Sequence, residues 1–136
     1  MKKVDEYIKA NINNFLIKTG VLGSDISNAE KALCFEFDKD YLYFLTNYGL
    51  ISYESMEIKG LGVGNSSFFN AVSLTLDIKK QWDSFPINTV VLEEIGENNY
   101  VVYTMDKGVY QFSPQSLELI KATLEEYLLM RFFEVS

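Results

Sequence analysis

The chain of 136 residues contains no histidine, one cysteine and two prolines. Without histidine it lacks the side chain that most often acts as an acid or base near neutral pH, and we find no nucleophile paired with a base. The single cysteine, Cys34, excludes an internal disulfide, and with no histidine present it argues against a structural zinc site. We therefore predict no catalytic residues, no metal and no other cofactor. Cys34 lies in an apolar helical run and is predicted to be buried.

Long apolar runs are also missing from the sequence. No stretch approaches the roughly 18 apolar residues that a membrane span needs. The charged start, Met1 to Glu6, is not followed by the apolar run of a signal peptide. These features predict a cytoplasmic protein without a membrane partner.

The residues that are abundant indicate a folded, acidic protein. Hydrophobic residues make up 48% of the chain and aromatic residues 15%, which is typical of a domain with a substantial core. Residues 1–136 contain no linker or repeat, so we predict one domain. The formal net charge of -7 repels nucleic-acid phosphates and argues against direct nucleic-acid binding. The same charge suits a basic protein partner.

Hydrophobic periodicity predicts five helices. They are residues 3–18, a helix starting between residues 24 and 27, residues 38–49, residues 66–82, and a last helix opened by Ser113-Pro114. Proline suits the first turn of a helix because its missing N–H would be unbonded there. The predicted core stripes are Ala71, Leu74, Ile78 and Trp82 in the fourth helix, and Leu117, Ile120, Leu124 and Leu128 in the fifth.

Strand signals lie between these helices. Residues 50–53 and 56–59 are two short candidates, and residues 88–112 contain three runs of β-branched and aromatic residues separated by two turns, at 96–99 and 106–108. Such a pattern predicts an antiparallel meander. Together the elements predict an α+β fold, a twisted and mostly antiparallel sheet with helices packed on one face.

Carboxylates concentrate at the first turn of this meander. Glu93, Glu94 and Glu97 lie there, and Tyr100 lies at the end of the same turn. The cluster is either a solvated sheet end or part of a negative surface for a basic partner. Further carboxylates are predicted to extend that surface if the strands and the fourth helix approach one another: Glu54, Glu57 and Asp77.

Three further groups of residues have two interpretations each. The spacing Gly60-x-Gly62-x-Gly64 favours a structural turn over a phosphate loop, because Asn65 stands where the dinucleotide motif needs glycine. Sheet tyrosines serve either the core or a binding surface, and the core is favoured: Tyr53, Tyr100, Tyr103 and Tyr110. Apolar residues at the end of the last helix either pack on the sheet or support a homodimer: Leu129, Met130, Phe132 and Phe133.

Several local motifs occur in a distinctive order from about Ser27 to the C-terminus. They are Glu30-Lys31-Ala32-Leu33, residues 37–49, Gly60-Leu61-Gly62, residues 70–75, Pro86 with the strand 90–95, and the turn 96–100. In this order they resemble the SUKH superfamily, which includes bacterial immunity proteins and yeast regulators of cell-wall synthesis. The YobK-like antitoxins are the subgroup that the chain resembles most. Phe37-Asp38 replaces the usual Leu-Pro, and Glu97-Asn98 replaces the usual Asp-Gly. The first change leaves the helix start intact, because Asp38 can itself cap the helix.

The resemblance implies an immunity protein that binds a cognate toxin domain, often a nuclease, and blocks its active site. Acidic side chains would then compete with the phosphates of the toxin's substrate. Two alternatives are a regulatory scaffold that binds a protein unrelated to toxins, and an enzyme that uses carboxylates alone. The gene immediately upstream discriminates between the immunity protein and the regulatory scaffold. If that gene encodes a toxin with a C-terminal nuclease domain, it favours immunity.

Overall fold

Five α-helices and seven β-strands form the fold in a computed structural model that describes residues 1–64, 67 and 69–136. The helices are α1 (Lys2–Ala10), α2 (Gly23–Leu33), α3 (Lys39–Asn47), α4 (Ala71–Gln81) and α5 (Leu124–Val135). The strands are β1 (Phe15–Ile17), β2 (Ile51–Tyr53), β3 (Met56–Ile58), β4 (Thr89–Gly96), β5 (Asn99–Thr104), β6 (Gly108–Ser113) and β7 (Ser116–Lys121).

The strands form two antiparallel sheets, with the orders β1-β2-β3 and β4-β5-β6-β7. The two sheets meet where the Lys59 N–H donates a hydrogen bond of 2.8 Å to the Leu92 carbonyl. The α+β class is confirmed, and so is the meander of residues 88–112. The hairpin of residues 50–59 is confirmed as β2 and β3.

Both faces of the larger sheet are covered. On one face, Val90 and Val101 join the main core with residues of α1, α3 and α5. On the other face, Val91 and Val102 join a smaller cluster with Ile78 of α4. Alternating side chains of a strand point to opposite faces, which explains why β4 is apolar on both sides. Helices therefore pack on both faces rather than on one.

Asp38 begins α3 and also ties it to the larger sheet. Its carboxylate accepts a hydrogen bond from the Tyr41 N–H at 2.9 Å, as a helix N-cap does. The same carboxylate accepts from the Tyr103 hydroxyl at 2.5 Å and from the Asp106 N–H at 2.7 Å. The cap predicted at this position is confirmed, and one side chain thus links the start of α3 to the β5–β6 turn.

Glycine at position 60 is required by a close backbone crossing. A Cβ on Gly60 would lie 1.7 Å from the carbonyl oxygen of Gly49, and a Cβ on Gly49 would lie 2.0 Å from that of Lys18. Three backbone segments therefore touch where no side chain fits. The start of α4 is capped separately, since the Asn70 side chain accepts from the Ser73 N–H at 3.0 Å. The structural interpretation of Gly60 is confirmed.

Two predicted helices are wrong in extent. The first ends at Ala10, and residues 15–17 form β1, in which Phe15 stacks on Tyr53 with ring centroids 4.0 Å apart. Asparagines between the two elements favour turns over helix. The fourth helix begins at Ala71; its predicted start at Ser66 lies outside the described residues.

The last helix also begins later than predicted. Ser113 and Ser116 face each other across a two-residue turn that contains Pro114, and residues 116–121 form the edge strand β7. Leu117 is consequently 46% exposed, whereas Leu124 and Leu128 are fully buried in α5 as predicted. The helix starts at Leu124 because the Thr123 hydroxyl caps it by accepting from the Glu126 N–H.

Burial departs from prediction at three further positions. Cys34 is exposed, because it is the left-handed C-cap of α2 with φ 65° and not part of its buried face. Leu74 and Trp82 are only half-buried against the smaller cluster. Trp82 follows the last turn of α4 in an extended conformation, which takes it off the helical stripe. Tyr53, Tyr100 and Tyr103 are buried and Tyr110 is half-buried, as predicted.

The buried face of α4 generates a test of stability. Ile78 is 2% exposed, so Ile78→Ala is expected to lower the free energy of unfolding by about 2–5 kcal/mol. Leu76 is 36% exposed on the same helix, and Leu76→Ala is the matched control that should cost much less. Urea denaturation measures both. Equal midpoints for the two variants would show that α4 does not pack through Ile78.

Candidate binding surface

The turn between β4 and β5 carries a small open pocket of about 400 Å³. Its lining residues are Glu94, Gly96, Glu97, Asn98 and Tyr100. Asn98 adopts φ 58°, a left-handed conformation that asparagine tolerates better than most residues. Asn98 thereby fills the position where the SUKH pattern has glycine. The turn is therefore formed without that glycine.

A β-bulge sets which side chains surround the pocket. Glu94 pairs with Tyr100 and Gly96 pairs with Asn99, so the ladder skips Ile95. Residues that pair directly across antiparallel strands project from the same face. The Glu94 carboxylate therefore stands beside the Tyr100 ring, and the two residues predicted from sequence as one surface do come together.

Tyr100 forms the base of this pocket. It is 8% exposed and packs in the smaller cluster with Phe112 and Val102. Burial raises the pKa of its hydroxyl, and the nearby Glu94 carboxylate raises the pKa further. The hydroxyl makes no hydrogen bond to the described residues, yet it is not sealed from solvent. A buried ring thus presents one unpaired polar atom at the surface.

Glu93 does not belong to the exposed acidic cluster. It is 4% exposed and forms a bidentate ion pair with Arg131 of α5, with an Arg131 Nη2 to Glu93 Oε1 distance of 2.8 Å and an Nε to Oε2 distance of 3.0 Å. The Tyr127 hydroxyl donates a further hydrogen bond to the same carboxylate. Hydrogen bonding to Glu93 raises the pKa of Arg131, and burial raises the pKa of Tyr127.

A second bulge explains why Glu93 points inward. The ladder passes from Val91 opposite Val102 to Glu93 opposite Val101, skipping Leu92. Glu93 therefore faces the main core and α5 instead of sharing a face with Val91. Its expected place at a solvated sheet end is wrong, because strict alternation from the sequence does not anticipate a bulge.

Lys59 lies among the carboxylates and was missed by the sequence analysis. It is 1% exposed, and burial lowers its pKa while Glu94, then Glu57, then Glu93 act to raise it. Glu57 of β3 and Glu94 of β4 thus both lie near enough to this buried cation for their charges to act on it. Lys59 offsets part of their charge. A single lysine after a strand gave no sequence signal for this role.

The other predicted carboxylates occupy separate positions. Glu54 is exposed in the β2–β3 turn with φ 52°, on the same hairpin as Glu57. Asp77 is exposed on α4, and no ion pair or hydrogen bond joins it to the other carboxylates within the described part of the chain. The candidate surface consequently centres on Glu94, Glu97 and Tyr100, and Glu54, Glu57 and Asp77 do not line the pocket.

A larger groove lies elsewhere on the molecule. It measures about 630 Å³ and is bordered by the 18–22 segment, α2 and the loop 61–64. Its charged lining residues are one lysine and one aspartate, Lys18 and Asp25. The groove is therefore close to neutral and differs in charge from the pocket at the β4–β5 turn.

Apolar residues at the chain end divide between core and surface. Phe132 is fully buried, whereas Phe133 is 66% exposed and contacts Tyr7 with ring centroids 5.4 Å apart. Leu129 and Met130 are half-buried against the main core. Packing accounts for most of this segment, and homodimer formation through Phe133 stays a prediction.

Two other features are absent from the described residues. No three or more Cys, Asp or Glu side chains are placed to hold a metal ion together. Within the same residues, no helix is both long enough and apolar enough to cross a membrane.

The ion pair of Glu93 generates a second stability test. Glu93→Ala leaves the Arg131 charge with only the exposed Glu134 carboxylate at 3.6 Å, and we expect a loss of about 3 kcal/mol, the lower end for a broken buried pair. The lower end applies because the Arg131 side chain remains 21% exposed. Glu97→Ala, at an exposed turn position, is the control and should leave the thermal midpoint unchanged. A Glu93→Ala variant as stable as the control would contradict the role assigned to this pair.

Comparison with known proteins places the chain in a family. No curated protein sequence matches it. A family model described as SMI1-KNR4 cell-wall matches residues 1–132. That match spans nearly the whole chain and includes α1 and β1, which precede the motifs of the sequence analysis. The α+β architecture agrees with the match. The chain belongs to the SUKH superfamily.

Proposed function

We propose that the protein is an immunity protein, a non-catalytic binder that neutralises a cognate toxin domain in the cytoplasm of the cell that makes both. The observation that carries this proposal is the open acidic pocket at the β4–β5 turn, in a chain of net charge -7 that belongs to the SUKH superfamily. Membership of that superfamily is compatible with an immunity role.

The geometry favours binding through a preformed surface. Glu94 and Glu97 make no salt bridge to any described residue, so their charges are available to a partner. Glu94 lies in the strand that Arg131 holds to α5 through Glu93, and Glu97 follows the end of that strand. A surface that is already ordered loses less conformational entropy when it binds. A rigid acidic hairpin is thus suited to occupy a basic substrate cleft.

A nuclease is the toxin class that this surface fits best. A nuclease cleft is basic because it holds phosphates, and carboxylates can occupy the same positions. The inhibitor would act by stoichiometric occlusion, with Glu54, Glu57 and Asp77 adding to the negative field around the pocket. The mechanism needs no acid–base group on the inhibitor, which agrees with the absence of histidine from the sequence.

The direct test uses the toxin domain encoded immediately upstream. Purified immunity protein should inhibit that domain at a molar ratio of one to one, and it should not degrade the substrate alone. Failure of the wild-type protein to bind or inhibit the domain would reject the proposal. Specific binding to a non-toxin cellular protein instead would favour the regulatory scaffold.

Electrostatic steering predicts a kinetic signature. Exposed charges are screened over about 8–10 Å at physiological ionic strength, so association should slow as salt rises. The double variant Glu94→Gln with Glu97→Gln should lower the association rate constant more than it raises the dissociation rate constant. Surface plasmon resonance at two salt concentrations measures both constants.

The control for that experiment changes the net charge by the same amount as the double variant at Glu94 and Glu97. Glu6→Gln with Glu118→Gln removes two exposed carboxylates, one on α1 and one on β7, away from the β4–β5 turn. Its association rate should stay near that of the wild type. Equal slowing in both double variants would mean that net charge, and not this pocket, governs association. Unchanged rates in both would place the contact elsewhere, with the groove beside residues 61–64 as the next candidate.

A further inference from the structure

We propose that the pocket at the β4–β5 turn is a receptor for a single arginine side chain of the protein partner, with Tyr100 at its base and Glu94 and Glu97 at its rim. This inference deepens the proposed function and rests on it, because it names the chemical group that the partner must present.

The first observation is the state of Tyr100. Its ring is held in the smaller core cluster at 8% exposure, and its hydroxyl has no hydrogen-bond partner among the described residues. The hydroxyl of a tyrosine whose ring is buried usually finds a hydrogen-bond partner. The position of this hydroxyl at the base of a pocket indicates that the partner comes from outside the chain.

The second observation is the pair of carboxylates above it. Glu94 stands directly opposite Tyr100 across the β4–β5 ladder, and Glu97 is exposed in the turn. Neither makes a salt bridge to a described residue, and Lys59 offsets only part of the charge of Glu94. The pocket thus offers acceptors on different sides and keeps a negative charge, which defines a cation site.

The arrangement favours arginine over other cations. A metal ion would need more carboxylates, and no group of three or more metal-binding side chains occurs in the described residues. Guanidinium has five donors in one plane and can bond to a carboxylate and a hydroxyl at once. A lysine ammonium is a more strongly hydrated point charge. The pocket of about 400 Å³ is wide enough for the guanidinium and its methylene chain.

A small probe tests the pocket without any toxin. N-acetylarginine methylamide is titrated into the ¹⁵N-labelled protein, and N-acetylcitrulline methylamide, of nearly the same shape but neutral, is the matched probe. We expect saturable shifts of the Asn98, Asn99 and Tyr100 amides with the arginine compound only. Tyr100→Phe keeps the ring and should weaken binding about fivefold, the effect of one lost hydrogen bond. Tyr110→Phe, on the neighbouring strand β6, should bind like the wild type. Equal shifts with both probes, or none with either, would overturn the arginine pocket.

The upstream toxin domain provides the second arm. Tyr100→Phe should bind that domain about fivefold more weakly and Tyr110→Phe as tightly as the wild type. One arginine of the toxin, replaced by lysine, should reproduce the loss and show no further loss when combined with Tyr100→Phe. Wild-type protein that fails to bind the toxin rejects the proposed function itself. Wild-type binding that Tyr100→Phe leaves unchanged rejects only the arginine pocket.

Discussion

The ion pair between Glu93 and Arg131 holds the last helix to the strand that leads into the candidate pocket. A carboxylate placed in a core is unfavourable unless it is paired and hydrogen-bonded. The Glu93 carboxylate accepts hydrogen bonds from two Arg131 nitrogens and from the Tyr127 hydroxyl. The pair forms only because a bulge turns Glu93 toward α5. Glu94 is left on the opposite face beside Tyr100, so one backbone irregularity determines which carboxylate is structural and which is available.

Much of the fold follows from local sequence signals. Asp38 was predicted to cap a helix, and the meander was predicted from β-branched runs and turn residues, because those signals act over a few residues. The extent of the first and last helices was not predictable in the same way. Leu117 and Ile120 fit a helical stripe with Leu124, yet residues 116–121 pair with β6 and give that strand its second neighbour. Pairing across strands overrides local periodicity there.

The candidate site was predictable in part. Glu94, Glu97 and Tyr100 were identified together because they surround one turn, and the structure brings them together. Glu93 was assigned to the same surface because it is adjacent to Glu94 in the sequence, whereas the bulge turns it toward Arg131. Lys59 and Arg131 gave no local signal, since each meets the carboxylates through contacts between segments far apart in the chain. Such contacts depend on how whole helices and strands pack together. The spacing of residues within one segment therefore does not predict them.

The contacts of Asp38 have a consequence for how this surface can change between related proteins. They hold the β5–β6 turn, at the end of β5 that lies opposite the pocket. Asp38 thus fixes the start of α3 to the sheet at one end of the β4–β5 hairpin. The residues of the β4–β5 turn lie at the other end, where Glu97 is exposed. Glu97 can therefore be replaced over evolutionary time with little effect on folding. The scaffold therefore tolerates changes at a few turn residues while the fold stays constant.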